Sequence, residues 1–219
     1  MELDVVYADA QLVVVNKPPG VAVQPDRSGD ESLLQRVQAA FPGEHIGSPH
    51  RLDRPVGGLV VFTRSAAALR GMDTLFRERR VEKVYLAVVE GRLEQEGTLE
   101  HRLVHAGGTR KATVAAAAEG QAVRVRYRVR AQGDRYSLLE VRPEGGAFHQ
   151  IRAQLAAAGH PIKGDVKYGA RRGEKDRSIA LHAWRLRFAH PATGAEVLVE
   201  AAPPGGGIWA RLMDPSVGG

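Results

Sequence analysis

A chain of 219 residues with 43% hydrophobic content is long enough to bury a core of its own, and Lys plus Arg outnumber Asp plus Glu by 31 to 25, a formal charge of +6 that favours a polyanionic partner such as nucleic acid. Cysteine is absent, which excludes disulfides, thiolate zinc sites and cysteine nucleophiles and suits a reducing compartment, the cytoplasm. No apolar run approaches the roughly 20 residues of a membrane helix, and Met1-Glu2-Leu3-Asp4 lacks the basic stretch and apolar core of a signal peptide, so an unexported protein without a membrane partner is expected.

Leu3 to Tyr7 and Leu12 to Asn16 read as strands around the turn Asp9-Ala10-Gln11, a hairpin ended by Lys17-Pro18-Pro19-Gly20. Residues 31–41 carry Leu33, Leu34 and Val37 at helical spacing. Residues 65–80 do the same with Leu69, Met72, Leu75 and Phe76, behind Ser65 as N-cap. Val84 to Val89 and Gly97 to Val104 favour strands. Val123, Val125, Tyr127 and Val129 alternate with Arg124, Arg126, Arg128 and Arg130 in period two, which predicts a half-buried strand. The four arginines fit the solvated face of an antiparallel strand better than a phosphate-gripping stripe, although the pattern allows both. Asp134 to Val141 pairs back, a helix covers 148–158 up to Gly159, and 179–188 and 195–201 return to strand. Gly107-Gly108 and 171–176 read as exposed loops, and the residues after Pro203-Pro204-Gly205-Gly206-Gly207 as a loosely held tail. The fold class is α+β with a mainly antiparallel sheet.

Three stretches carry chemistry. His50-Arg51-Leu52-Asp53-Arg54-Pro55-Val56-Gly57-Gly58 sets a lone carboxylate between two arginines ahead of an apolar strand; such a carboxylate, held ionised by its neighbours, acts as nucleophile or base. Phe148-His149-Gln150-Ile151-Arg152 places His149 and Arg152 three apart on one helix face, and a loop dense in Gly and Pro, 159–169, follows it. Tyr85 interrupts the aliphatic strand Lys83-Val84-Tyr85-Leu86-Ala87. His50, His160, His182 and His190 stand beside turns and are read as holding loops by hydrogen bonds to backbone, and no His-x-His or Glu-x-x-His pair suggests a metal phosphodiesterase.

Asn16-Lys17-Pro18-Pro19-Gly20, His50-Arg51-Leu52-Asp53, Lys83-Val84-Tyr85-Leu86-Ala87, His149-Gln150-Ile151-Arg152, Gly159-His160-Pro161-Ile162-Lys163-Gly164-Asp165 and Leu181-His182-Ala183 occur in that order. This series resembles the RluA family of RNA pseudouridine synthases, from about residue 5 to about residue 200. The resemblance implies a single catalytic domain over 1–219 with a central sheet, flanking helices and a central cleft, no S4 domain ahead of it, and a flexible tail over about 203–219. It implies isomerisation of specific uridines in a structured stem-loop of ribosomal or transfer RNA, by a cytoplasmic monomer, with no cofactor and no metal.

By the same carry-over, Asp53 is the catalytic aspartate, attacking the ribose or taking a proton from it to give a glycal. Arg152 is its basic partner, Tyr85 packs on the uracil, and Arg51 and His149 contact substrate. Extrusion of the stacked uridine into the site is expected, with Arg51 helping to fill the vacated space. Three departures mark a divergent subgroup: Val56-Gly57-Gly58 in place of Thr-Ser-Gly, Gly146-Ala147-Phe148 in place of Gly-Arg-Thr, and Gln154 where His is common. They bear on RNA selection and on the rigidity of the Asp53 loop more than on the bond chemistry. A non-catalytic RNA-binding or RNA-remodelling protein on the same fold is the competing reading.

Overall fold

The computed structural model describes residues 2–105, 111–115 and 119–213. In chain order it runs β1 (Val5–Ala8), β2 (Leu12–Lys17), α1 (Leu33–Ala40), β3 (Gly57–Thr63), α2 (Ala66–Arg77), β4 (Glu82–Glu90), β5 (Glu96–Val104), β6 (Thr113–Val114), β7 (Gln121–Gln132), β8 (Tyr136–Glu144), α3 (Gln150–Ala157), a short 3-10 turn (Val166–Tyr168), β9 (Leu181–Ala189), β10 (Glu196–Glu200) and α4 (Gly207–Met213). The fold is α+β, and the strands pair mainly antiparallel. No helix among the described residues is long and apolar enough to cross a membrane. The chain forms two compact units, one of Met1–Lys83 with His182–Pro203, the other of Val84–Leu181 with Pro204–Gly219.

In the first unit the strands lie in the order β1, β2, β3, β9, β10. Leu12 to Val15 and Leu59 to Phe62 are fully buried, so β2 and β3 are covered on both faces and read as continuous apolar runs instead of alternating ones. Met72 and Leu75 of α2 join Leu12, Val14, Leu59, Val61, Leu186 and Phe188 in one core. Both helices begin where the sequence predicts. Ser32 and Gln35 form a reciprocal capping box at α1, and the Ser65 hydroxyl accepts from the Ala68 N–H at 3.1 Å at α2.

The second unit orders its strands β4, β8, β7, β5, β6. Along β7, Val123, Val125 and Val129 are buried and the four arginines exposed, as the period of two demands. Each arginine meets a carboxylate: Arg124 meets Glu100 and Glu144, Arg126 meets Glu144, Arg128 meets Glu96 and Arg130 meets Glu140. The face is a solvated ion-pair ladder. Gln154, wholly buried, ties α3 to the sheet, its amide donating to the carbonyl of Leu99 at 2.9 Å.

The C-terminal segment differs from the expected tail. Residues 207–213 form α4 and bury Trp209 and Leu212, which stand three apart and so share a face, and α4 packs on β7 and β8. Residues 214–219 and the Gly107-Gly108 loop lie outside the described residues.

The sharpest steric constraint falls on Gly58, at φ +109°, where β3 runs parallel to the start of β9 and Gly58 faces Ala183. A Cβ there would lie 2.3 Å from the Ala183 carbonyl oxygen and 2.5 Å from its nitrogen. Gly58→Ala is expected to cost about 3 kcal/mol or more. Gly20→Ala, at φ +87° with nothing within 4 Å, should cost only about 1 kcal/mol. Urea unfolding midpoints check the contrast, and equal losses for the two variants would refute it.

Candidate active site

Asp53 sits in a turn closed by the Val56 N–H donating to the Asp53 carbonyl at 3.0 Å. The next carbonyl, that of Arg54, accepts twice: from the Gly20 N–H at 2.8 Å and from Lys17 Nζ at 3.2 Å. Lys17 also donates to the carbonyls of Pro18 at 3.1 Å and Val21 at 2.9 Å, so all three ammonium hydrogens have acceptors although the side chain is 1% exposed. Burial pulls its pKa down to about 7, the negative charge of Asp53 opposes the fall and the positive charge of Arg54 adds to it. The turn that lacks the Thr and Ser hydroxyls is therefore fastened from the strand before it.

Arg54, which the sequence sets beside Asp53, also has a structural role. Its guanidinium holds Asp26 at 2.9 Å and Asp30 at 2.7 Å, and it reaches the Ser28 hydroxyl at 2.6 Å, bracing the loop ahead of α1. Hydrogen bonds from Ser28, then from Arg54, hold the Asp26 carboxyl down at about 2. Arg51 is exposed.

The four histidines beside turns do bond to backbone. His50 accepts from the Val61 N–H at 2.9 Å and stacks on Phe76; burial, with the charge of Lys83, depresses its pKa to about 3. His160 bonds the Glu90 carbonyl, His182 that of Ala201, and His190 takes the N–H groups of Ala192 and Thr193. His182 is likewise pushed down to about 4, chiefly by burial.

In the second unit, Tyr85 is half-buried on β4, facing Val141 across the ladder. Arg152 on α3 is 5% exposed, and its guanidinium is gripped by Asp165, Nε to Oδ2 at 2.7 Å and Nη2 to Oδ1 at 2.9 Å. The expected meeting of Arg152 with His149 also occurs, Nη1 lying 3.0 Å from His149 Nε2. Because arginine can only donate, that nitrogen accepts, which leaves the proton on Nδ1, 2.8 Å from the Tyr168 hydroxyl. Tyr168 passes its own hydrogen to the Ala112 carbonyl at 3.2 Å. A continuous chain of bonds thus links Asp165, Arg152, His149 and Tyr168 to backbone, with Arg152 donating to both of its neighbours.

Lys17, Asp165 and Tyr168 are the residues that sequence reasoning did not single out for roles. Their signals were a lysine directly after four buried apolar residues and an Asn, and an Asp and a Tyr inside the Gly-punctuated loop that follows α3. Arg152 and Asp165 are thirteen positions apart, so no local period links them.

Two outcomes test these arrangements. Between about 7, the native value of Lys17, and its ordinary 10.5, the unfolded state binds more protons, so stability rises with pH across that window by up to about 1.4 kcal/mol per pH unit. Wild type should therefore gain on Lys17→Met when urea midpoints are compared at pH 7 and pH 9; parallel shifts would sink the assignment. Asp165→Ala leaves the Arg152 guanidinium buried without its carboxylate and should cost about 3–5 kcal/mol in the same assay, where a loss below 1 kcal/mol would contradict the pairing.

Comparison with known proteins identifies the family. The family model for RNA pseudouridylate synthase matches residues 11–157. The chain is 32% identical to tRNA pseudouridine synthase C of Vibrio parahaemolyticus, over 92% of this chain and 91% of that one. It is 33% identical to tRNA pseudouridine synthase C of Salmonella typhimurium, over 91% and 85%. The solved structure of human RNA Pseudouridylate Synthase Domain Containing 1 superposes with a TM-score of 0.78 at 28% identity, over 93% of this chain and 84% of that one. The chain belongs to the RNA pseudouridylate synthase family and is an RNA pseudouridine synthase.

Proposed function

We propose that this enzyme isomerises a uridine of transfer RNA, with Asp53 as its catalytic carboxylate, Arg152 as the basic partner of Asp53, and Tyr85 as the aromatic that packs on the uracil. The anchoring of the Asp53 turn by Lys17 and Gly20 carries the assignment, since a reacting carboxylate must be held in place while the base moves. The transfer-RNA assignment is supported by relatives named tRNA pseudouridine synthase C at 32% and 33% identity.

The reaction breaks the bond between ribose and uracil nitrogen, turns the held uracil, joins its carbon 5 to the sugar, and then loses the carbon 5 proton. Asp53 opens the sequence by attacking the ribose or by taking a proton from it. Either route needs the carboxylate ionised, which a neighbouring guanidinium favours. An aromatic face beside the uracil keeps the detached base from leaving, and in this reading the Tyr85 hydroxyl assists the late proton transfer. A stacked uridine must first be extruded, at a cost of a few kcal/mol. Arg51, long, charged and exposed, suits the space that the base leaves. His149, with Nδ1 and Nε2 both engaged, positions Arg152 and contacts substrate through its ring. The same reading has the protein working as a monomer in the cytoplasm, with RNA as its partner.

Asp53→Asn should lower pseudouridine formation on transfer-RNA transcripts by at least about 1000-fold with the fold intact by circular dichroism. Full activity in that variant would remove Asp53 from the mechanism. Loss of a ribosomal site instead of a transfer-RNA site, on mapping pseudouridine in cells lacking the protein, would overturn the substrate assignment.

A further inference from the structure

Phe148 precedes the proposed substrate contact His149 and is 36% exposed, a large apolar ring in water without a role in the chemistry above. It is held on two sides. Its ring stacks on the His149 imidazole, centroids 3.8 Å apart and planes 18° from parallel, and His105 meets its edge at 4.7 Å and 71°. His149 in turn meets the Tyr168 ring edge-on at 5.5 Å, and Lys111 Nζ stands 4.9 Å from the centre of that ring.

The support is rigid. His149 adopts the left-handed conformation at φ 53°, unusual for a residue other than Gly, Asn or Asp, and both its ring nitrogens are engaged. Gln150 pins the segment, its side chain accepting from the Ala147 N–H at 3.2 Å and donating to the Arg124 carbonyl at 3.0 Å.

A fixed, exposed aromatic is how proteins hold unpaired bases. The ring takes the π-face of any base, and nearby charge takes the backbone. In this chain Ala147 and Phe148 stand where the resembled family usually has Arg and Thr.

We propose that Phe148 is a stacking platform for an unpaired nucleobase of the RNA substrate, other than the target uridine. The proposal rests on RNA being the substrate and not on the transfer-RNA assignment. The test titrates wild type, Phe148→Tyr and Phe148→Leu with a stem-loop RNA carrying 2-aminopurine at successive loop positions. Wild type and Phe148→Tyr should quench the fluorescence at one position; Phe148→Leu should bind about 10- to 100-fold more weakly and quench at none. If Phe148→Leu is unfolded by circular dichroism, Phe148→Trp decides in its place, with binding at least as tight as wild type expected and about 10-fold weaker binding overturning the platform.

Equal affinity of the Phe, Tyr and Leu forms, or binding without quenching at any position, also overturns it, leaving Phe148 as a cover for the His149–Arg152 bond or a contact for a protein. Pseudouridine formation in transfer RNA is read separately by mass mapping after chemical labelling. Quenching without that product would defeat the proposed substrate and leave the platform standing.

Discussion

A buried ammonium group organises the segment on which Asp53 stands. Lys17 ends a strand whose previous apolar positions are fully dehydrated, and its side chain turns into three backbone carbonyls from Pro18, Val21 and Arg54. Burying a charge with so little exposure is unfavourable unless every hydrogen finds an acceptor. The chain meets that condition only when the Pro18–Val21 bend and the Asp53–Arg54 turn are both in place, so the ion couples two segments 37 residues apart in sequence. Neighbouring structure inherits the constraint. Val56 is buried, β3 starts at Gly57, and Gly58 is pressed against the Ala183 backbone, which leaves the turn little freedom at its far end. Hydroxyl groups at positions 56 and 57 are not needed to hold the turn, because backbone carbonyls and one cation do so.

The second unit uses a carboxylate for the comparable task. Asp165, 2% exposed, takes Arg152 by two hydrogen bonds, and this fixes the plane of the guanidinium. That plane sets the tautomer of His149, and the tautomer sets the direction of the bond to Tyr168. Networks of this kind are sound only when each member is satisfied, since an unpaired buried group costs about 1–3 kcal/mol. Every link here ends on a partner. Such a chain converts burial into a fixed orientation of the guanidinium.

Much of the fold was legible because its signals are local. The cap at Ser65, the strict alternation of β7 and the stop at Gly159 each depend on residues within a few positions of one another. The His149–Arg152 pairing was legible for the same reason. Partners fixed by tertiary structure were not: Arg54 also holds Asp26 and Asp30, more than twenty positions back, and Arg152 is bound to a residue thirteen positions on. α4 was hidden by the Pro-Pro-Gly-Gly-Gly run ahead of it, which reads as an ending. Trp209 and Leu212 bury one side of a seven-residue helix, too short to declare itself by period. The competing reading, an RNA-binding protein without catalysis, could not be separated from an enzyme by charge or pattern; membership of the family decides for the enzyme.

The net charge of +6 gives no address for the RNA, and the β7 ladder shows why. Its four arginines alternate along one strand in a basic stripe, yet Glu96, Glu100, Glu140 and Glu144 stand against them. The pairs of Glu96, Glu100 and Glu144 are exposed enough to contribute little to stability, and a phosphate would have to displace a carboxylate before releasing any counterion of its own. A strand of this composition is thus a poor phosphate track despite its appearance. Recognition is better served where charge is sparse and geometry fixed. Around Phe148 the neighbours are the rings of His105 and His149, the backbone is locked at His149, and a base can be held by its face. Affinity then depends on which nucleotides are unpaired, and selection becomes a matter of RNA shape more than of total charge.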